Sequence, residues 1–431
     1  MSRTVAFHTL GCKVNQYDSQ AMLELFRAAG YRAVPFAEPA DVYVINTCTV
    51  TGVGDKKSLQ AARRIRREHP DSALVLCGCL AQRKGDSLSE ELGARLVIGT
   101  QRRGEVVSLL EQALREDRNI VAVEPLPPGT PYEPLWIASQ EEHTRAVMKI
   151  QEGCDNHCTY CVIHTVRGPV RSRDPESIRR EALALSEAGY SEIVLTGIHL
   201  TSYGRDLDGL RLIDAIRVVH EIDGVDRIRL GSLEPTVADS AFTAALTGLP
   251  KVCPQFHLAL QSGCDTVLRR MARRYNMRMY MEAVDAIRSV YPLAALTTDV
   301  LTGFPGETEE EHRATCEAVR KIGFARIHVF PYSQREGTKA AVMPGQLPRA
   351  VKEQRVRELI AIGEETSRQY RAQWLDRAAN VLFETRDEAG WHGYTEAYIP
   401  VTVSSDQDLS GQCLKVRLNG LTGDGMTGIM M

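Results

Sequence analysis

The first hundred residues alternate between short apolar runs and longer segments in which apolar residues recur at a helical spacing. The apolar runs have the length of buried strands and cover residues 4–10, 41–47, 73–76 and 95–98. Between the first two, residues 17–29 place apolar side chains on one helical face and end at Gly30. Strands that alternate with helices predict a flavodoxin-like, doubly wound parallel sheet.

A proline-rich segment separates this region from a second strand–helix region. Residues 124–140 contain five prolines, which interrupt regular structure. Six strand-like runs follow, with helical segments between most of them: 146–151, 192–196, 227–230, 255–260, 295–301 and 326–330. Six units are fewer than the eight of a closed barrel, so we predict an open partial (βα)6 barrel whose gap admits a macromolecule.

The C-terminal part changes pattern twice. Residues 349–371 are charged, with apolar residues at a helical period, and predict a helix that lies along the barrel. From Asn380, apolar and polar residues alternate over five short runs, which predicts a small antiparallel β-barrel. Four aromatic or histidine side chains of this region either stack on RNA bases or belong to its core: Trp391, His392, Tyr394 and Tyr398.

These patterns divide the chain of 431 residues into parts. We expect an N-terminal domain over residues 1–124, a linker over 125–140, the partial barrel over 141–366 and the small β-barrel over 367–431. A chain of this length suggests about three domains.

Composition narrows the class of protein. Hydrophobic residues make up 43% and charged residues 25% of the chain, as in ordinary globular proteins. The N-terminus lacks a signal-peptide pattern, and no apolar run approaches the roughly 18 residues of a membrane span. The net charge of -3 provides no general attraction to nucleic acid. We therefore expect a cytoplasmic protein without membrane contacts.

Three cysteines, Cys154, Cys158 and Cys161, lie within eight residues at the end of the run 146–151. Thiolates at this spacing can ligate an iron–sulfur cluster and leave one of its four irons open. Zinc would require a fourth ligand, which His157 or His164 could offer, but no second zinc knuckle follows. A disulfide framework is disfavoured because the chain has 11 cysteines, an odd number, and no secretory signal.

Three further cysteines each follow one of the N-terminal strand runs: Cys12, Cys48 and Cys79. Carboxyl ends of parallel strands meet at one crevice, so these thiols can converge on a second iron–sulfur cluster with an open iron. The alternative is that they are buried core cysteines. Cys77 competes with Cys79, but Cys79 lies past the strand and follows a glycine, as Cys12 does.

Polar residues and glycines follow the strand runs of the predicted barrel. They include Thr196, Gly197, Glu234, Gln261 and Gly303. Glycines let a ligand approach the backbone, and a carboxylate can bind hydroxyl or ammonium groups, although such residues are also common in turns. Beside the cysteine loop, they predict a cofactor site.

Two segments concentrate positive charge. The predicted helix 56–68 carries six cations with little acid nearby, among them Arg63, Arg64, Arg66 and Arg67. This helix either contacts an RNA backbone or presents a solvated face. A second cluster, residues 269–274, either holds a substrate phosphate or is solvated.

The cysteine spacing, with Tyr160 directly before Cys161, resembles the signature of radical S-adenosylmethionine (SAM) enzymes. The resemblance implies that SAM chelates the open iron and that Tyr160 lies against its adenine. With both cysteine sets, the chain is similar over essentially its full length to the methylthiotransferase family of radical SAM enzymes. Membership implies two 4Fe–4S clusters, SAM as cofactor and a C-terminal TRAM domain that grips the substrate.

Within that family, the segments 10–16 (Leu-Gly-Cys-Lys-Val-Asn-Gln) and 46–51 (Asn-Thr-Cys-Thr-Val-Thr) resemble the branch that acts on N6-threonylcarbamoyladenosine at tRNA position 37. The isopentenyladenosine branch usually has Gly-Cys-Gln-Met-Asn at the first segment, and the branch for a ribosomal-protein aspartate usually has Gly-Cys-x-Lys-Asn. The resemblance implies methylthiolation of adenine carbon 2, with the tRNA anticodon stem-loop and a reductant such as flavodoxin or ferredoxin as partners. The alternatives are the isopentenyladenosine enzyme and, in a different class, a non-catalytic iron–sulfur RNA-binding or redox protein.

Overall fold

The computed structural model describes residues 3–138 and 144–431. Within these ranges, no helix is long and apolar enough to cross a membrane. The described chain forms a parallel sheet covered by helices, then an open barrel, and finally a small closed barrel.

The N-terminal part is a sheet of parallel strands in the order β2-β1-β3-β4-β5-β6. Its elements are β1 (Thr4–Thr9), α1 (Lys13–Ala28), β2 (Arg32–Ala33), β3 (Val42–Thr47), α2 (Gly52–Glu68), β4 (Ala73–Gly78), α3 (Cys79–Lys84), α4 (Asp86–Leu92), β5 (Leu96–Ile98), α5 (Val106–Arg115) and β6 (Ile120–Ala122). Every residue of β3 is buried, because helices pack apolar clusters against both faces of the sheet. The predicted flavodoxin-like arrangement is confirmed.

The central part contains six parallel strands that alternate with helices. Its elements are β7 (Ala146–Glu152), α6 (Ile163–Arg167), β8 (Arg171–Ser172), α7 (Pro175–Glu187), β9 (Glu192–Gly197), α8 (Leu212–His220), β10 (Arg227–Leu230), α9 (Ser240–Leu246), β11 (Gln255–His257), α10 (Asp265–Arg270), α11 (Met277–Val290), β12 (Ala295–Thr302), α12 (Glu309–Ile322) and β13 (Arg326–Pro331). Two parallel bridges connect the segments around β10 and β11. One joins Ile228 to Val252, before β11, and the other joins Leu233, after β10, to Leu258, after β11. The predicted partial (βα)6 barrel is confirmed, and a short antiparallel strand, β8, is added beside β7.

The barrel is open along β13. This strand pairs with β12 on one side only, and alternate residues on it, Arg326, His328 and Phe330, are exposed. Alternate residues of a strand share a face, so a polar face with one aromatic ring borders the gap.

The C-terminal part consists of α13 (Arg349–Ala372) and strands β14 (Ala378–Asp387), β15 (Gly390–Thr395), β16 (Pro400–Val403), β17 (Cys413–Leu421) and β18 (Met426–Met430). The strands close a barrel in the order β14-β15-β16-β18-β17. The small predicted barrel is thus confirmed, with β16 and β18 as a parallel pair among antiparallel ones.

Three domain boundaries were predicted, and each can be compared with the observed helices and strands. The first, after residue 124, follows the end of β6 at Ala122. The second, between residues 140 and 141, lies outside the described residues. The third, after residue 366, falls within α13, which continues to Ala372, so we propose that the C-terminal domain begins between this helix and β14.

Candidate functional site

The three N-terminal cysteines come from the ends of neighbouring strands. Cys12 immediately precedes α1, Cys48 follows β3, and Cys79 is the first residue of α3 after β4. The backbone at Gly11 approaches Cys48 so closely that a Cβ placed there would lie 3.0 Å from its Sγ. Burial raises the pKa of Cys48 and Cys79, the latter to about 11, and the charge of Cys12 adds to both shifts. The structure therefore brings these three thiols together.

Side chains from two neighbouring segments tie the cysteine loops to one another. The amide of Asn15 donates to the carbonyls of Leu10 and Thr47 at 2.7 and 3.0 Å, and the amide of Asn46 donates to the Asn15 carbonyl at 2.9 Å. The hydroxyl of Thr47 accepts from the first free backbone N–H groups of α3, both at 3.2 Å. These buried hydrogen bonds fix the loops of Cys12 and Cys48 against the start of α3.

Cys77 and Cys79 lie on opposite sides of a sharp turn. Cys77 is fully buried within β4, and its thiol donates to the Ile45 carbonyl at 3.6 Å. Gly78 adopts a φ of +90°, which turns the chain into α3 and directs Cys79 toward the other two cysteines. This geometry supports Cys79, and not Cys77, as the third member of the set.

The barrel cysteines lie on the loop that leaves β7. Backbone N–H groups of Asn156 and Ile163 donate to the sulfurs of Cys154 and Cys161, both at 3.4 Å. Burial raises the pKa of Cys154 to about 12 and that of Cys161 to about 11, and charges on the other cysteines of the loop contribute. Each set thus presents three thiols in one place, and this donor chemistry fits a 4Fe–4S cluster with three cysteine ligands.

Arg273 joins the barrel cysteines to a predicted cofactor residue. Its guanidinium donates to Cys158 Sγ at 3.1 Å and to Glu234 at 2.5 Å. Burial opposes the negative charge of Glu234, but hydrogen bonds from His199 and Asn156 and the charge of Arg273 lower its pKa to about 2. The segment 269–274 was expected to be solvated or to bind phosphate; Arg273 instead holds a carboxylate beside the cysteine loop.

Arg167 links the two cysteine sets. It is the last residue of α6, the helix that follows Cys161, and its Nε donates to Cys79 Sγ at 3.1 Å. A helix of this length spans only about 7.5 Å. The two sets consequently lie near opposite ends of one short helix.

A buried ion network positions Arg167 and holds the N-terminal sheet on the barrel. Arg167 pairs with Glu152 at 3.0 Å, Lys149 pairs with Asp18 at 2.5 Å, and Arg103 pairs with Asp18 and Glu152. All five side chains are at most 2% exposed. This network could not be predicted from the sequence, because Asp18 is 85 residues from Arg103 and 131 from Lys149. The one visible signal was the position of Arg167, six residues after Cys161.

A cavity of about 320 Å³ inside the barrel is lined by all three parts of the chain. Cys12 and Lys13 contribute from the N-terminal sheet, and Tyr398 contributes from the C-terminal barrel. Thr196 and Gly197, two of the predicted cofactor residues, line the same space. A ligand in this cavity would therefore contact the N-terminal cysteine set and the barrel at the same time.

The other predicted cofactor residues lie on the cysteine loop and on the loops that follow β11 and β12. The ring of Tyr160 meets that of Phe304 edge-on, with centroids 6.4 Å apart, next to Gly303. Gly303 has a φ of +72°, and its N–H donates to Glu307 at 2.7 Å. Gln261 pairs its backbone with β12 and also has a positive φ, of 61°. Their role in SAM binding stays a prediction.

The four arginines predicted to contact RNA lie on the exposed face of α2: Arg63, Arg64, Arg66 and Arg67. Contrary to expectation, three of these arginines have acidic partners. Arg63 pairs with Glu91, and Glu68 pairs with Arg64 at 2.7 Å and with Arg67 at 2.9 Å. Arg66 donates to two backbone carbonyls. The paired arginines remain 52–72% exposed, so their contact with RNA stays a prediction.

One of the four predicted side chains of the C-terminal barrel belongs to its core, and the other three make different contacts. Trp391 belongs to the buried core. Tyr394 and Tyr398 stack on each other with centroids 4.8 Å apart, and the Arg145 guanidinium lies over both rings. The side chain of His392 is 34% exposed and pairs with Asp387 at 2.7 Å. The tyrosines therefore form part of the contact between the C-terminal barrel and the rest of the chain.

Comparison with protein families gives two matches. Residues 4–99 match the uncharacterized protein family UPF0004, and residues 148–319 match the radical SAM superfamily. The first range contains Cys12, Cys48 and Cys79, and the second contains Cys154, Cys158 and Cys161.

Curated relatives match over nearly the whole chain. A Bacillus subtilis protein, threonylcarbamoyladenosine tRNA methylthiotransferase MtaB, is 40% identical over 421 residues, which cover 96% of this chain and 93% of the relative. The Thermotoga maritima protein of the same name is 34% identical and covers 98% and 96% of the two chains. A tRNA-2-methylthio-N(6)-dimethylallyladenosine synthase of Pelotomaculum thermopropionicum is 31% identical, with 97% and 96% covered.

Among solved structures, the radical SAM methyltransferase TsrM of Kitasatospora setae matches with a TM-score of 0.60. The match covers 79% of this chain and 77% of TsrM at 15% identity. At this identity the likeness concerns the fold alone.

Proposed function

Because the chain belongs to the radical SAM methylthiotransferase family, we propose that it adds a methylthio group to carbon 2 of N6-threonylcarbamoyladenosine at tRNA position 37. One observation carries the proposal: two sets of three thiols lie near the ends of one short helix, and Cys12 of one set lines a cavity inside the barrel. Such an arrangement suits two clusters that serve one substrate.

The protein uses SAM and two 4Fe–4S clusters. We assign one cluster to Cys12, Cys48 and Cys79 and the other to Cys154, Cys158 and Cys161, since each set supplies three thiols to four irons. When bound, these groups supply the radical and sulfur chemistry that an unactivated aromatic C–H requires and that acid–base side chains cannot provide.

The surrounding residues stabilise charge and shape the SAM site. Arg273 places positive charge beside Cys158, which favours the thiolate that a metal needs. Glu234 is held as a carboxylate and can accept hydrogen bonds from SAM. Tyr160 offers an apolar ring. The glycines at 197 and 303 allow close packing at the strand ends, because an added Cβ would meet Gln151 at the first and Lys352 at the second. Thr196 and Gln261 complete the proposed set.

The substrate is a tRNA, and we propose that the anticodon stem-loop approaches the gap along β13. Adenosine 37 must leave its stack to enter the cavity, which costs a few kcal/mol. The exposed arginines of α2 and the C-terminal barrel provide backbone contacts on either side in this proposal. A tRNA substrate agrees with the cytoplasmic location predicted above.

A second cavity suits the approach of an electron donor. It has a volume of about 590 Å³, borders Cys161 and is lined by the cations Lys56, Arg83 and Lys84 and by the carboxylates Asp55 and Glu336, both of which pair with Arg83. The two lysines leave the lining with a positive surplus. Positive charge around an electron-accepting site attracts acidic partners, so flavodoxin or ferredoxin is the class of reductant that we propose.

The experiment is methylthiolation by anaerobically reconstituted enzyme. The enzyme is incubated with SAM, a reductant and tRNA that carries threonylcarbamoyladenosine, or isopentenyladenosine in a parallel reaction, and the nucleosides are analysed by mass spectrometry. We expect the methylthio product from the first tRNA only, and none from a Cys154→Ala variant. If only the isopentenyl tRNA gave product, the protein would instead be the isopentenyladenosine methylthiotransferase. A protein that releases no 5'-deoxyadenosine would belong to the non-catalytic class.

A further inference from the structure

Two cations without an ionic partner face the cavity of about 320 Å³ from different parts of the chain. Lys13 is the first residue of α1, next to Cys12, and Arg326 is the first residue of β13. Within residues 3–138 and 144–431, neither side chain makes an ion pair or a hydrogen bond. Their charges are therefore available to a ligand.

Two arginines near this cavity are paired with carboxylates. Arg229 is neutralised by Glu192 at 2.8 Å, and the nearby Arg145 by Glu384 at 2.8 Å. The acidic residue that lines the cavity, Asp299, lies 3.5 Å from His257, a contact that is ionic only when the histidine is protonated. Lys13 and Arg326 outnumber this single carboxylate, so the charge of the cavity lining is positive and suits an anion.

The side arm of the proposed substrate carries such an anion. A threonylcarbamoyl group ends in a carboxylate and a hydroxyl, whereas an isopentenyl group is apolar. A carboxylate in a protein cavity needs cationic partners, and the planar guanidinium of arginine can bind both of its oxygens. The hydroxyls of Ser232 and Thr297, which line the same cavity, suit the polar remainder of the arm.

We propose that Lys13 and Arg326 bind the carboxylate of the threonylcarbamoyl group and thereby select this nucleoside. The inference rests on the proposed function and adds the basis of its substrate preference. Carbon 2 and the N6 substituent of adenine both flank N1 of the ring. An arm anchored at Lys13 therefore holds carbon 2 near Cys12 and the N-terminal cysteine set.

The test compares three anticodon stem-loops that differ only at nucleotide 37. One carries threonylcarbamoyladenosine, one carries its neutral carboxamide, and one carries unmodified adenosine. Fluorescence anisotropy measures their binding to reconstituted enzyme without SAM. Wild type should bind the acid about tenfold or more tightly than the carboxamide, as expected for a hydrogen bond between charged groups.

Lys13→Gln and Arg326→Gln should each reduce this acid-to-carboxamide ratio by about tenfold and leave the affinity for the carboxamide unchanged. Lys13→Arg should retain the preference, which separates charge from a structural role. Lys321→Gln and Arg278→Gln, which replace exposed cations on the outer helices α12 and α11, should leave the ratio as in wild type.

Two results would overturn the inference: a ratio near one in wild type, or a ratio unaffected in both glutamine variants. If the glutamine variants lost affinity equally for all three RNAs, Lys13 and Arg326 would contact the RNA backbone and not the threonylcarbamoyl group. The nucleoside assay keeps the two proposals separable. Product formation on threonylcarbamoyl tRNA together with a wild-type ratio near one contradicts only the carboxylate site, whereas absence of that product contradicts the proposed function.

Discussion

The two cysteine sets reach the same grouping of three thiols by different routes. Cys154, Cys158 and Cys161 lie on one loop after β7, so a short stretch of backbone brings them together. Cys12 and Cys48 follow different strands, and Cys79 follows a third, so their convergence requires a folded parallel sheet. The N-terminal set should therefore be sensitive to changes in tertiary structure that the barrel set tolerates.

An arginine contacts one sulfur in each set, but the two arginines depend on different surroundings. Arg273 reaches Cys158 from within the barrel and is paired with Glu234. Arg167 reaches Cys79 from the barrel across to the N-terminal sheet and is fixed by the buried ion network. The N-terminal set thus depends on the barrel, whereas the contacts of the barrel set described here lie within the barrel.

The largest effect should come from Arg167→Met, which removes the cation between the two sets. Asp18 and Glu152 would lose one buried partner, and we expect unfolding to become easier by about 3 kcal/mol or more. Arg278→Met, which breaks a pair that is 75% and 59% exposed, should cost less than about 1 kcal/mol. Chemical denaturation before cluster reconstitution measures both, and equal losses would contradict the importance of the network.

Gly78→Ala should disrupt the N-terminal cysteine set and leave the barrel set intact. A Cβ at this position would lie 2.3 Å from Asn46 Oδ1 and 2.7 Å from the Thr47 carbonyl, at a φ of +90°. We expect a cost of about 2–4 kcal/mol and reconstitution to about four irons per chain instead of about eight. Gly189→Ala is the matched control, because its φ is +94° with nothing within 4 Å. It should cost about 1 kcal/mol and retain all the iron; iron loss in both variants would mean that backbone strain alone is responsible.

A smaller effect should follow from Thr47→Val, which keeps the shape of the side chain and removes its hydroxyl. That hydroxyl accepts from two N–H groups of α3 and donates to the Cys77 carbonyl at 2.6 Å. The expected loss in unfolding free energy is about 1–3 kcal/mol. Thr302→Val is the control, since the buried Thr302 hydroxyl has no partner among the described residues, and this change should be neutral or stabilising. If Thr302→Val also destabilised the protein, the loss in Thr47→Val could not be attributed to the hydrogen bonds of the Thr47 hydroxyl.

The smallest effect should come from changes on the exposed side of α2, which should alter tRNA binding alone. Arg63→Glu combined with Arg66→Glu should weaken tRNA binding and lower the slope of log K against log salt by about 1–2, because fewer phosphates are neutralised. The cysteine sets should retain their iron, since these side chains are distant from them in α2. Filter binding at several salt concentrations measures the slope. An unchanged slope would assign this helix to a solvated face.

Local patterns in the sequence were sufficient to predict the doubly wound sheet, the open barrel and the two groups of cysteines. They predict these features because hydrophobic periodicity and motif spacing are set by residues that are close together in the sequence. They could not predict that Arg167 meets Cys79, that Arg273 meets Glu234, or that Asp18 meets Lys149, since these pairs are 88, 39 and 131 residues apart. For the same reason the acid that pairs with Arg63 was missed: Glu91 lies 28 residues away, on another helix.

We infer that both cysteine sets serve one substrate within a single chain, and an experiment that mixes two variants tests this arrangement. Cys12→Ala and Cys154→Ala proteins are reconstituted separately, then combined with threonylcarbamoyl tRNA, SAM and reductant. Wild type should form the methylthio nucleoside, whereas neither variant nor their mixture should, because each variant chain lacks one cluster at its own cavity. Restoration of the product by the mixture would contradict the claim and show that the two sets act on separate molecules.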